Sequence, residues 1–239
     1  AVPPVDAVRL ASRALARFAA VGIPVIALAG NHDSATRLGF GAELAEAAGV
    51  HVRTRVEDVD RPVTLVDDHG PVHVYAVPYL DPDVVHTGLG VERSHTAVLG
   101  AALERIRAHR AEHPGRAVVV AHAFVSGGAP SDSERDIRVG GVHDVPPSVF
   151  DGVDYVALGH LHRAQVVTGS TSTIRYSGSP LAYSFSEAGH RTSVTVVDLA
   201  ADGSVTHELV PTPVPRPVGI VSGRLDDLLV DPALDALEE

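Results

Sequence analysis

The chain has 239 residues, 45% of them apolar, and 19 basic against 30 acidic side chains give a formal charge of −11. That composition builds one large domain or a domain with an appendage and excludes a disordered chain, while the acidic balance excludes diffuse nucleic-acid binding, which needs clustered positive charge. The absence of cysteine excludes a disulfide framework, a zinc ribbon and a thiol nucleophile and suits a reducing compartment; no apolar run reaches the roughly 18 residues that span a bilayer and no signal-peptide pattern opens the chain, so a cytoplasmic protein without a membrane partner is expected.

Residues 5–20 carry apolar side chains at Val8, Ala11, Leu15 and Phe18, the spacing of a helix that buries one face. Pro3 and Pro4 precede this segment and Gly22 follows it, as start and stop signals do. Residues 23–29 are too short and too apolar for anything but a buried strand, which runs out into Gly30-Asn31-His32-Asp33. A strand is expected over 72–77 and a helix over 95–110, stopped by Pro114-Gly115. Residues 117–121 form the next apolar strand, ending at His122, and residues 153–158 another, ending at Gly159-His160-Leu161-His162-Arg163. Beyond Gln165 short alternating segments around 174–176, 193–199 and 205–210 read as β structure, the last two joined by a turn at 201–204. Alternating prolines over 211–217 mark a boundary, which divides the chain into 1–212 and 213–239.

Buried strands whose carboxyl ends deliver polar residues, with helices between them, imply an α/β sheet covered on both faces. Ligands of such sheets bind at the carboxyl ends of the strands. Three strands thus aim Asn31 with His32, His122, and His160 with His162 at one rim, and in an extended segment His160 and His162 point to the same side. Imidazoles with an amide oxygen and no thiolate favour manganese, iron or zinc over copper(I) or an iron–sulfur cluster. Asp33 is either an acceptor that orients an imidazole or a cap for the helix that follows.

Gly30-Asn31-His32-Asp33, the strand ending in His122, and Gly159-His160-Leu161-His162 resemble the last three signature motifs of the calcineurin-like metallophosphoesterases, in the same order. The stretches 122–135 (HAFVSGGAPSDSER), 139–141 (VGG) and 176–190 (YSGSPLAYSFSEAGH) resemble one branch, the SbcD-type nuclease subunits, over residues 1 to about 234. This resemblance implies a four-layer α/β/β/α metallophosphoesterase sandwich and two divalent ions, Mn2+ in this branch, about 3.5–4 Å apart and gripping a phosphodiester. By position Asn31, His122 and His160 match ligands of one ion and His162 a ligand of the other. His32 matches the histidine that contacts the scissile phosphate and acts as general acid. The resemblance also implies 3′–5′ exonuclease and hairpin endonuclease activity on DNA. The implied partners are an SbcC-type ATPase and a second copy of the chain, a homodimer within a heterotetramer.

Two motifs of the family, Asp-x-His and Gly-Asp-x-x-Asp, are missing from the chain, which contains no methionine and begins at Ala1. An N-terminally incomplete domain is therefore expected, one that binds at most one ion well, is nearly inactive alone, and leaves apolar surface uncovered around 25–29. Arg163 and Arg175 are either phosphate contacts at the rim or solvated side chains. The loop 131–136 is either a solvated connection or an approach to DNA or the ATPase. Residues 177–180 suit a tight turn in which Gly178 adopts backbone that other residues resist. Tyr183 and Phe185 alternate as a strand face that packs into the core, and Leu225, Leu228 and Leu229 suit the start of a capping domain.

Overall fold

The computed structural model describes residues 2–132, 134, 145–215, 217–228, 230 and 234. Helix α1 (Val5–Ala20) leads into strand β1 (Val25–Leu28), and the short helices α2 (Ala35–Leu38) and α3 (Ala42–Glu46) return the chain to β2 (Val50–Arg53). Strands β3 (Val63–Asp67) and β4 (Gly70–Val77) precede helices α4 (Pro82–Leu89) and α5 (His95–Glu112). Strands β5 (Arg116–His122), β6 (Tyr155–Gly159), β7 (Gln165–Val167), β8 (Thr173–Tyr176), β9 (Ser193–Leu199) and β10 (Val205–Pro211) follow, and then the turn α6 (Leu225–Leu228).

Six strands form a mixed sheet in the order β3-β4-β5-β6-β8-β7. The pairs β4–β5, β5–β6 and β6–β8 are parallel, while β3–β4 and β7–β8 are antiparallel. The expected α/β architecture is therefore present, with antiparallel strands at both edges of a parallel centre. Strands β1 and β2 pair in parallel as a sheet of two, and β9 with β10 form the expected antiparallel hairpin.

One face of the six-stranded sheet is covered by α5. Val98, Leu99, Ala102, Leu103 and Ile106 recur at helical spacing and are all buried, packed on Tyr75, Val119, Val156, Ile174 and Tyr176. Each large aliphatic sealed there contributes roughly 1.5–3 kcal/mol. Ser94 begins the helix by accepting the Ala97 N–H at 3.1 Å. Strand alternation turns Arg116 and Arg175 to the opposite face, where the β9–β10 hairpin lies: Arg116 Nη1 donates to Leu199 O at 3.1 Å and Arg175 Nη1 is 3.1 Å from His207 Nε2.

Helix α1 has its expected extent, but none of its residues is buried. The apolar face foreseen at Val8 and Phe18 is 51% and 45% exposed, and the four residues of β1 are half-buried throughout. The periodicity suffices to form the helix, yet among the described residues its apolar face is only partly covered, with Leu15 half-buried. No described helix is long and apolar enough to cross a membrane.

Candidate metal centre

The parallel pairing of β5 with β6 sets His122 opposite Gly159, so both strands end together. On the far side of β5, the residue following β4 by two, Tyr79, donates its N–H to Ala29 O at 2.8 Å, which ties the end of β1 to the same rim. Three carboxyl ends thus meet although they are remote in sequence. Two glycines make the approach sterically possible: a Cβ on Gly30 would stand 2.9 Å from His122 Cε1, and one on Gly159 would stand 3.2 Å from His122 Nδ1.

At the centre, Asn31 Oδ1 lies 2.9 Å from His122 Nε2, a contact between residues 91 positions apart. Asn31 Nδ2 is buried and has no hydrogen-bond partner among the described residues. Asp33 accepts the Gly30 N–H at 2.8 Å and closes the turn that presents Asn31 and the exposed His32. Asp33 does not cap α2, whose N-cap is Ser34; the bond of its carboxylate is to its own turn.

Burial, followed by the proximity of His160, His32 and His162, pushes the pKa of His122 down to about 4. The ring is therefore neutral at pH 7, the form in which imidazole ligates a metal. The His160 ring stands edge-on to it at 5.4 Å between centroids and contacts Phe124 at 6.2 Å. Strand β6 ends at Gly159, so His160 and His162 do not alternate along a strand as the sequence implied. His160 has φ 116° and is the one non-glycine residue with positive φ among those described, a conformation of the kind that costs about 1–3 kcal/mol and clusters at functional sites. Leu161, 2% exposed, plugs into the core between the two histidines.

His162 has a separate set of partners. Its Nδ1 is 2.6 Å from Glu187 Oε1, its backbone N–H donates to Glu134 Oε1 at 2.7 Å, and its carbonyl accepts the Ser179 N–H at 2.9 Å. Tyr183 stands 5.4 Å from its ring, centroid to centroid. Gly178 adopts the left-handed backbone expected of it, at φ +81°, while Ser177 and Ser179 donate their N–H groups to Leu158 O and His162 O and not across a turn of their own.

Arg163 is exposed beside this rim. Arg175 is enclosed under the β9–β10 hairpin at 5% exposure, because strand alternation turns it away from the rim to the covered face. Tyr183 and Phe185 are each 65% exposed and not core residues, since the segment Phe185–Glu187 is a single helical turn instead of a strand. Of the loop 131–136, Ser131 and Glu134 engage the site, whereas Ser133, Arg135 and Asp136, the stretch 139–141 and Leu229 lie outside the described residues. Reading the sequence missed Glu187, Glu134 and Tyr79, although the first two sit within quoted motif stretches as bare acids.

No three His, Cys, Asp or Glu side chains among the described residues are arranged to hold an ion. The convergent donors are instead the Asn31 amide oxygen and His122, with His160 beside them. Two cis ligands of an ion at about 2.1 Å stand about 3 Å apart, a spacing that suits the Asn31–His122 pair and a hard or borderline divalent ion. No protein-family model matches the chain.

Proposed function

We propose that the chain is the catalytic part of an SbcD-type nuclease of the calcineurin-like metallophosphoesterases, hydrolysing DNA phosphodiesters with Mn2+. The observation that carries this reading is the 2.9 Å approach of Asn31 Oδ1 to His122 Nε2 at the joined ends of β1 and β5. The fold reading is the four-layer α/β/β/α sandwich, supported by the succession of α5, the six-stranded sheet and the β9–β10 hairpin. The proposed setting is the cytoplasm, with DNA, an SbcC-type ATPase and a second copy of the chain as partners.

Asn31, His122 and His160 would hold one ion and His162 a second. When bound, such ions polarise the phosphoryl group and lower the pKa of water. His122 serves as a ligand because burial keeps it unprotonated. His32 lies exposed at the rim and near enough to act on the His122 charge, a position from which it protonates the departing oxygen. Arg163, exposed beside the rim, neutralises a neighbouring phosphate.

Calorimetric titration with Mn2+ and an assay on a linear duplex test the reading together. One ion is expected to bind, with the heat signal abolished in His122→Ala. Mn2+-dependent cleavage of the duplex is expected to be weak for this chain and absent in His32→Ala. A chain that takes up no Mn2+, or that cleaves small phosphodiesters but no DNA end, overturns it.

A further inference from the structure

The proposed chemistry leaves Glu187 without a role, and yet it is the most deeply buried acid described, at 1% exposure. A carboxylate taken out of water requires strong compensating partners. Here they are specific: Oε2 accepts the Tyr183 N–H at 2.7 Å, and Oε1 accepts from Ser131 Oγ at 3.3 Å and faces His162 Nδ1 at 2.6 Å. Ser131 reaches a second acid as well, donating through Oγ at 2.5 Å and through its N–H at 2.6 Å to Glu134 Oε2. The other oxygen of Glu134 accepts the His162 N–H at 2.7 Å, and the 177–180 segment donates Ser179 N–H to the His162 carbonyl at 2.9 Å. Three separate segments therefore grip one histidine at its amide, its carbonyl and one ring nitrogen. A carboxylate offers acceptors only, so Nδ1 carries the hydrogen, and in the neutral ring the lone pair belongs to Nε2. Acceptors of this kind behind ligating histidines set the tautomer and aim the ring.

We propose that Glu187 is the positioning residue of the site: it fixes His162 as the Nδ1–H tautomer and turns the Nε2 lone pair toward a divalent ion. The inference rests on the metal-dependent reading above. It extends that reading to the segment around 183–187, and it makes Ser131 and Glu134 a brace for the same histidine.

Glu187→Gln is isosteric and gives a discriminating outcome. The Tyr183 N–H requires an oxygen at the Oε2 position, which leaves the amide NH2 at the Oε1 position facing His162 Nδ1. Nδ1 must then become an acceptor, and the hydrogen moves to Nε2, the nitrogen that faced the ion. Long-range 1H–15N correlation on metal-free, 15N-histidine-labelled chain at pH 8 reads this directly. Native protein is expected to show His162 protonated at Nδ1, Glu187→Gln to show it protonated at Nε2, and Ser131→Ala to keep the native pattern. An unchanged His162 signature in Glu187→Gln overturns the proposal. Should that variant fail to fold by circular dichroism, Glu187→Asp replaces it: one methylene shorter, it reaches either Tyr183 or His162, so a mixture of tautomers is expected and a pure Nδ1–H signature overturns the proposal. Because the spectra need no metal, a native chain that shows the Nδ1–H tautomer but binds no Mn2+ defeats the metal reading, whereas a chain that binds Mn2+ with the opposite tautomer defeats the positioning role.

Discussion

His122 couples the candidate centre to the stability of the whole chain. Its native pKa of about 4 lies below the roughly 6.5 expected once the chain unfolds. Between those values the unfolded chain binds a proton that the native one refuses, so stability falls as the pH drops through about 6.5 and the loss levels off below about 4. At about 1.4 kcal/mol per pH unit the full loss from this one site is of the order of 3 kcal/mol. Urea unfolding of native protein and of His122→Asn from pH 7 to pH 4 is expected to show a shallower decline in the variant by about that amount, and parallel curves refute the assignment. The same neutral ring leaves little proton competition for a metal at pH 7. His160 contributes a second kind of local cost, its backbone held at φ 116°, between the glycine that lets His122 approach and the buried Leu161.

At the scale of elements, the segment 177–180 shows how a short stretch holds backbone elsewhere. Gly178 has φ +81°, and a Cβ there would stand 2.7 Å from Ala164 N, a backbone atom that cannot swing away. Gly178→Ala is therefore expected to destabilise the fold by about 1–3 kcal/mol, measured as a lower urea midpoint. Faster amide exchange at Ser179, whose N–H bonds His162 O, is expected alongside. What the sequence made legible follows the same division between local and remote causes. The strands ending at His122 and Gly159 and the helix α5 follow from runs and periods contained within a few turns of chain, and their ends carry the donors with them. Helix α4, β2 and β3 went unread because each is short, though Asp81 capping at 3.0 Å, Pro82 and the left-handed Gly90 mark the ends of α4. Glu187 and Glu134 meet His162 across 25 and 28 residues, and no local pattern states that a given acid will be buried. The pairing of His160 with His162 failed for a related reason: spacing fixes side only while the strand lasts, and β6 stops before either histidine is reached.

For the molecule as a whole, the unanswered surface lies on the N-terminal elements. Phe40, just before α3, is 92% exposed and Leu44 within it 83%, and the apolar side of α1 is open at Val8 and Phe18. Large apolar side chains this exposed mark an interaction site where they gather, and the second copy of the chain proposed above is the partner assigned to Phe40 and Leu44. The charge of −11 opposes self-association at long range, but screening confines that repulsion to about 10 Å at 0.1 M salt, whereas each large apolar side chain sealed in an interface contributes roughly 1.5–3 kcal/mol. Two such residues on each protomer outweigh the repulsion at ordinary ionic strength. Sedimentation velocity is expected to show a dimer that strengthens as salt rises, and Phe40→Asp with Leu44→Asp is expected to weaken it more than tenfold while leaving α5 and the Mn2+ heat signal intact. A native chain that sediments as a monomer at every salt concentration refutes the assignment of that surface, and leaves the proposed chemistry at the rim untouched, because Asn31, His122 and His162 take their geometry from strands and loops within one chain.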